Sequence, residues 1–192
     1  MCLGLRSTFV AYLWALRDAP TQPREGIVAA AGQELVINLH EESYTIFAAT
    51  SHHAPGRSRA RSYRVRIGGP SSSIRARHAS IIGVHFNPGG AFPFLAVPLG
   101  ELADEHVDLD VLWGTDAHRL RERLLAVRGN ADRFRILEDA RCARLRRAPN
   151  RHSAVQVGVD GLVRGACALR DIHSHVSLSR RRFIEVFARE SA

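Results

Sequence analysis

The side chains best suited to a chemical role lie together near the end of the printed sequence. The set comprises four arginines, one isoleucine and one glutamate: Arg180, Arg181, Arg182, Ile184, Glu185 and Arg189. Guanidinium groups pair with phosphates, and arginine and glutamate side chains also hydrogen-bond to base edges in the major groove of DNA. Such a set fits either contacts with double-stranded DNA or an ordinary solvated helix surface, and the order of the neighbouring residues favours DNA.

These side chains can act together only if one helix carries them. Ser179 precedes the arginine run, where its hydroxyl can accept a hydrogen bond from an amide of the first helical turn. Phe183 and Phe187 are spaced to face inward, which leaves the base-reading side chains on the outer face. The pattern predicts a helix from about Arg180, preceded by a tight turn and a shorter helix that ends before Val176.

The segment Leu169–Phe187 resembles the first helix-turn-helix of the AraC/XylS family of bacterial transcriptional regulators. The matching positions are Leu178, Ser179, Phe183 and Phe187. Ser177 departs from the pattern, because the family usually has glycine there, in a left-handed turn conformation. A serine in that conformation costs on the order of 1 kcal/mol.

The resemblance assigns two roles within the predicted helix. By position in the family motif, base contacts fall to Arg181, Ile184 and Glu185. Phosphate contacts fall to the flanking arginines Arg180, Arg182 and Arg189. Double-stranded DNA is therefore the expected partner, and no cofactor or metal is implied.

A second block extends the resemblance towards the start of the chain. Gly83-Val-His-Phe-Asn-Pro-Gly-Gly-Ala-Phe-Pro-Phe-Leu95 is similar to the N-terminal domain of one subgroup of AraC-type regulators. The resemblance covers about residues 30–190. It implies a β-rich, sensor-like domain with a helical extension over residues 1–147 and a partial DNA-binding domain over residues 150–192. Family members carry two helix-turn-helix units, so we expect a regulator shortened after the first.

Several short strands are predicted before residue 90. Alternating or branched residues between turn signals indicate strands at 34–39, 44–47, 62–67 and 78–86. The first two suggest an antiparallel hairpin, whereas residues 8–16 fit either a strand or a short helix. We expect a small antiparallel β-sandwich or barrel over about residues 25–90.

Helices are predicted after the strands. Periodicity indicates them at 99–103, 109–113, 115–127, 132–146 and, despite poor helix formers such as Gly158 and Gly161, at about 152–164. The predicted fold class is therefore α+β, with the small sandwich or barrel followed by helices and a final helix-turn-helix.

The charge of the chain is unevenly distributed. The net charge is +8, and every one of the 27 basic residues is arginine. Residues 1–140 carry 16 arginines against 15 acidic residues, whereas residues 141–192 carry 11 against 4. A basic segment beside a near-neutral body is typical of a nucleic-acid-facing module. The charge alone would equally fit an anionic membrane surface or an unstructured solubilising tail, so it supports DNA binding only together with the helix-turn-helix pattern. No apolar run reaches membrane-spanning length, and we predict a cytoplasmic protein without membrane contact.

The ten histidines raise the alternative of a metal site or an enzyme. His173-Ser-His175 is the sole His-x-His motif, and it falls in a predicted helix, where such residues diverge by about 200°. His78 and His85 are expected on opposite faces of one strand. Asn87-Pro-Gly-Gly90 lacks the Gly-Lys-Ser/Thr ending of a phosphate loop, so we interpret it as a packing turn. The three scattered cysteines suggest neither a zinc site nor a disulfide. We predict that the chain is not an enzyme.

Two alternatives to a DNA-binding regulator stay open from the residues alone. One is a truncated regulator whose β-domain acts only as a small-molecule-binding or dimerisation module. The other is a metal-dependent, cupin-like enzyme. For the DNA-binding regulator itself, a small-molecule effector and a homodimeric state are compatible with the sequence. Aromatic residues of the predicted strands would line a pocket or pack in the core: Tyr44, Phe47, Tyr63 and Phe86.

Overall fold

The computed structural model describes residues 9–17, 33–40, 43–47, 59–61, 63–67, 73–75, 80–102, 106–145, 152–163 and 176–191. The strands in these ranges are β1 (Val10–Leu16), β2 (Gln33–Asn38), β3 (Ser43–Phe47), β4 (Arg59–Arg61), β5 (Tyr63–Ile67), β6 (Ser73–Arg75), β7 (Ile81–Phe86) and β8 (His106–Asp108). The helices are α1 (Phe92–Leu95), a 3₁₀ helix (Leu99–Leu102), α2 (Leu109–Trp113), α3 (Thr115–Ala126), α4 (Asn130–Leu145), α5 (Ser153–Val163) and α6 (Arg180–Ser191). The chain is thus mixed α and β, with antiparallel sheets followed by helices. No helix in the described ranges is both long enough and apolar enough to cross a membrane.

The strands form two antiparallel sheets. One has the order β1-β7-β2-β5-β8 and the other the order β4-β3-β6. The predicted hairpin of β2 with β3 is wrong, because both edges of β2 are already paired, one with β5 and one with β7. The ambiguous stretch at 8–16 is a strand, since β1 pairs along β7 as far as Leu16 opposite Ile81.

The inner face of the five-stranded sheet packs against the helices. Leu35, Ile37, Ile82 and Val84 are almost completely buried there, and they belong to one core with Phe94, Leu99, Leu120, Leu124 and Leu137. Phe86 is part of this core, which fits the packing interpretation of that aromatic residue. The side chains of Tyr44, Phe47 and Tyr63 lie outside the part of the chain that the structure describes.

The Asn87–Gly90 segment is the packing turn that the sequence suggested. The amide of Gly90 donates to the carbonyl oxygen of Asn87 at 2.7 Å, and the amide of Asn87 donates to the carbonyl oxygen of Phe9 at 3.0 Å. A Cβ atom at Gly90 would lie only 2.0 Å from the carbonyl oxygen of Phe9. The turn therefore brings the chain so close to β1 that no side chain fits.

Arg133 links the end of α3 to the sheet. Its Nε donates to the carbonyl oxygens of Leu124 at 3.3 Å and Val127 at 3.2 Å, and its Nη1 donates to Ser80 Oγ at 3.4 Å. Burial and the nearby charge of Arg17 lower the pKa of Arg133. The guanidinium nevertheless stays charged at neutral pH, so it complements the negative C-terminal end of α3.

We expect Arg133→Met to lower the free energy of unfolding by about 1 to 2 kcal/mol, since hydrogen bonds from a charged donor to the helix end are lost. Arg135→Met on the same helix is the matched control, because Arg135 is 73% exposed and its ion pair is with the exposed Asp132 at 3.1 Å. Its expected effect is within about 0.5 kcal/mol. Urea denaturation of both variants measures the difference, and equal losses would contradict the assigned role of Arg133.

Candidate nucleic-acid interface

The structure confirms the predicted beginning of α6. The helix starts at Arg180, and Ser179 Oγ accepts a hydrogen bond from the amide of Arg182 at 3.3 Å. The carbonyl oxygen of Ser179 accepts from the amide of Phe183 at 2.9 Å. Ser179 is therefore the N-cap, and it fixes the first turn that carries the arginine run.

The inner face of α6 packs on α5. Phe183 and Val186 are 1% and 3% exposed, and Phe187 is partly buried beside them. The facing residues of α5 are Ala154, Val155 and Val159. α5 confirms the helix that was predicted over about 152–164 despite its glycines. A Cβ atom at Gly158 would lie 2.5 Å from Phe187 Cε2, so this glycine permits the close approach of the two helices.

A buried carboxylate joins the two ends of this helix pair. Glu190 is 2% exposed, and its Oε2 accepts from the amide of His152, immediately before α5, at 2.9 Å. Its Oε1 lies 3.0 Å from Arg189 Nη2. The guanidinium of Arg189 is thus paired within the protein, and a phosphate would have to share it with Glu190.

The predicted DNA-contacting side chains lie on the exposed part of α6. Arg181 Nε is 3.1 Å from Glu185 Oε1, and Arg182 Nη1 is 3.3 Å from Glu185 Oε2. The side chains of Arg181 and Arg182 are 91% and 59% exposed. Arg180 is also exposed and has no ion pair with any residue that the structure describes, and Ile184 is 46% exposed. One helix therefore carries all six predicted side chains.

The leading end of α6 is strongly cationic. Three consecutive arginines occupy its first turn, which contains no acidic residue. The positive end of the helix dipole lies at the same place and adds to the attraction for anions. Glu185 neutralises only part of this charge, because it is shared between two guanidinium groups.

The other end of α6 lies against the 3₁₀ helix. A Cβ atom built on Gly100 would be 3.0 Å from the carbonyl oxygen of Ala188. Ala188 follows Arg181 and Ile184 on the outer side of α6, at the C-terminal end of the helix. A long ligand that approaches α6 therefore has freer access to the N-terminal half, where the arginines lie.

The turn before α6 differs from the expectation. Among the described residues, Ala96 is the non-glycine residue with a positive φ, so Ser177 does not adopt the left-handed conformation. The predicted strain at Ser177 is therefore wrong. The preceding helix of the motif, which would include Leu169, Ile172 and His173, lies outside the described residues.

A second cluster of polar side chains lies on the five-stranded sheet. His85 Nδ1 is 3.3 Å from Glu34 Oε1, and the ring of Tyr12 stacks on His85 with 4.8 Å between centroids. The pairing of β1, β7 and β2 puts these three residues in one row. In the described part of the chain, no three histidine, cysteine or acidic side chains are grouped to bind a metal ion. His78 and His175, which figured in the metal alternative, are outside it.

One family model matches the chain. Its description is "Domain of unknown function (DUF6597)", and it covers residues 6–108, more than half of the 192 residues. The chain belongs to this family. The DUF6597 region contains all eight strands described above and ends with the last residue of β8. Helices α2 to α6 follow it, so the candidate interface lies outside the matched region. No curated protein and no solved structure matches the chain.

Proposed function

We propose that the chain is a transcriptional regulator that binds double-stranded DNA through α6. The proposal is carried by the exposure of three arginines and Ile184 near the N-terminal end of α6, a capped helix whose opposite face is buried. A helix that enters the major groove needs an apolar rear face, outward side chains that meet base edges and cations that meet phosphates.

The helix pair supplies the support that such a reading helix needs. α5 braces α6 through Phe183 and Val186, and Glu190 ties the end of α6 to the start of α5. Side chains that contact DNA act with precision only when the helix beneath them is held firmly. The buried face and the Glu190 hydrogen bond provide this rigidity.

The proposal includes the finer architecture that the resemblance suggested. Residues 150–192 would belong to an AraC/XylS-type DNA-binding domain, in which α6 is the second helix of a helix-turn-helix. The DUF6597 region with its helical extension would form the sensor-like domain, with its two sheets arranged as a sandwich or barrel. The charge of the last quarter of the chain, 11 arginines against 4 acidic residues, supports a nucleic-acid partner.

The direct test is titration of the protein with its own upstream DNA and with a scrambled duplex at two salt concentrations. We expect preferential binding and a steep salt dependence, because bound arginines release counterions from phosphates. Arg182→Ala should weaken binding to both duplexes and reduce the slope of log K against log salt by about 1. Arg181→Ala should instead weaken the free energy of binding to the preferred duplex by about 1 to 3 kcal/mol and affect the scrambled duplex less.

Arg135→Ala on α4 is the matched control, because it removes an exposed arginine away from α6. This variant should bind both duplexes as the unaltered protein does. If the three substitutions reduce binding equally, then α6 has no special place in DNA binding. Salt-independent binding by the unaltered protein would refute the proposal as a whole.

A cavity favours a second candidate function, a small-molecule-binding module. About 250 Å³ of space lies between β1 and α4, beside the buried guanidinium of Arg141. That guanidinium lies 5.4 Å from the centre of the Phe94 ring. The lining residues are Val10, Ala11, Tyr12, Leu13, Phe134, Glu138 and Arg141. Small apolar molecules that carry one hydrogen-bond acceptor suit this lining, because the carboxylate of Glu138 disfavours a second negative charge beside Arg141. A thermal-shift screen with such molecules tests this candidate, and binding with no influence on DNA affinity would favour a stand-alone module.

A further inference from the structure

We infer that α6 reads a guanine through Arg181, that Glu185 positions Arg181 instead of reading a base, and that Ile184 contacts a thymine methyl group on a neighbouring base pair. The inference rests on the proposed function, since it names the bases that the helix would recognise. It also changes the role of Glu185, to which the family resemblance assigned a base contact.

Both carboxylate oxygens of Glu185 are engaged within α6. Oε1 accepts from Arg181 Nε at 3.1 Å, and Oε2 accepts from Arg182 Nη1 at 3.3 Å. A carboxylate that reads cytosine must offer an oxygen to the N4 amino group. Each oxygen of Glu185 keeps a second lone pair, but the two guanidinium groups fix the direction of the carboxylate and neutralise part of its charge, so it is better placed to hold Arg181 than to read a base.

The hydrogen bond between Arg181 and Glu185 leaves the outer edge of the Arg181 guanidinium directed away from the carboxylate. The hydrogen bond to Glu185 uses Nε, whereas the two terminal nitrogens form the fork that matches paired acceptors. The Arg181 side chain is 91% exposed, so this fork is accessible to a ligand. An arginine held in this way loses less conformational freedom on binding than one that swings freely.

Guanine is the base that fits the fork. Arginine has only donors, and guanine alone presents two acceptors, O6 and N7, side by side in the major groove. Adenine and cytosine each place an amino donor on that edge, and thymine has a single acceptor beside a methyl group. Arg181 therefore favours a G·C pair in one orientation.

Ile184 provides an apolar contact next to this polar one. The side chain of Ile184 is 46% exposed. In the N-terminal half of α6, the other exposed side chains are arginines and Glu185, which are charged. The thymine methyl is the one apolar group that a base pair presents in the major groove. Residues 181 and 184 are one helical turn apart, so their targets are neighbouring base pairs.

Base analogues test the guanine contact on a duplex that the unaltered protein has selected from a random pool. Replacing the contacted guanine with 7-deazaguanine removes N7, and we expect about tenfold weaker binding. Inosine at the same position keeps O6 and N7, and should bind unchanged. Arg181→Ala should bind the guanine and 7-deazaguanine duplexes equally.

The role of Glu185 is tested with the same duplexes. Glu185→Ala should bind random DNA as tightly as the unaltered protein or more tightly, because a negative charge is removed. It should nevertheless lower the discrimination against 7-deazaguanine about twofold, the size expected for an exposed i,i+4 ion pair, and Glu185→Gln, which keeps one acceptor, should lower it less. Circular dichroism of each variant checks that α6 is intact. Full discrimination in Glu185→Ala would overturn the positioning role.

The thymine contact needs a single-methyl change. Deoxyuridine in place of the neighbouring thymine should weaken binding about threefold, in keeping with the loss of one buried methyl group. Ile184→Ala should not distinguish the two duplexes. If the unaltered protein selects DNA with a steep salt slope but tolerates every analogue, the inference fails and the proposed function stands. If it selects no sequence, both fail.

Discussion

Gly90→Ala is expected to lower the free energy of unfolding by about 3 to 5 kcal/mol, which is a large fraction of the roughly 5 to 15 kcal/mol that stabilises a typical domain. The new Cβ would lie 2.0 Å from the carbonyl oxygen of Phe9 and 2.8 Å from that of Asn87. Both are backbone atoms, so no rotamer change can relieve the overlap. The amide of Asn87 bonds to the same Phe9 carbonyl, so moving β1 away would also break that hydrogen bond.

Gly129→Ala is the control for this substitution. A Cβ atom at Gly129 would be 3.5 Å from Asp132 Oδ2, which is an ordinary contact. We expect its free energy of unfolding to change by no more than about 1 kcal/mol. Urea denaturation followed by far-ultraviolet circular dichroism compares the two variants. Similar midpoints for both would mean that β1 does not hold the turn as tightly as the structure indicates.

The turn at Gly90 was predictable because its signal is local. Proline followed by two glycines marks a turn whatever the rest of the chain does, and the structure has Gly89 at φ 65°. The pairing of β2 was not predictable in the same way. Its residues 33–38 are buried throughout, so no alternation showed which strands lie beside it. The nearest strand in sequence therefore looked like its partner, and the hairpin prediction was wrong.

In the candidate interface, too, the local features could be predicted from the sequence and the long-range contacts could not. Ser179, Phe183 and Phe187 follow local rules of capping and helical spacing, and these rules gave the start and the inner face of α6. The contact of Glu190 with His152 joins residues 38 positions apart, and that of Glu34 with His85 joins residues 51 apart. No spacing rule links such pairs, because packing and strand register bring them together.

The pair Arg181 and Glu185 falls between these cases. Residues four apart on a helix are neighbours, so an ion pair could have been expected from the sequence. The family resemblance instead directed both side chains towards DNA. The structure has the two side chains in contact, with Arg182 as a second partner of the same carboxylate. This competition for Glu185 suggests separate roles for reading and positioning.

Gly158→Ala tests whether helix packing or helix propensity dominates in α5. Alanine favours a helix over glycine by about 1 kcal/mol, so propensity alone predicts a more stable protein. We expect the opposite, a loss of about 1 to 3 kcal/mol, because the new Cβ would be 2.5 Å from Phe187 Cε2 and 2.9 Å from Cδ2. The ring is wedged between α5 and α6 beside Phe183, with 5.5 Å between the two ring centroids. If α6 binds DNA as proposed, selective binding should weaken too, to the extent that α6 moves to make room for the methyl group.

The substitution Phe187→Ala provides the decisive comparison, because it removes the ring that the new methyl group would strike. In that background, the nearest remaining atom is Phe183 Cζ at 3.2 Å, a tight contact that a small ring movement relieves. Gly158→Ala should then be neutral or stabilising, as helix propensity requires. The sign of its effect should therefore reverse between the two backgrounds, and a double-mutant cycle measures that reversal. Destabilisation of equal size in both would mean that something other than the Phe187 contact requires glycine at position 158.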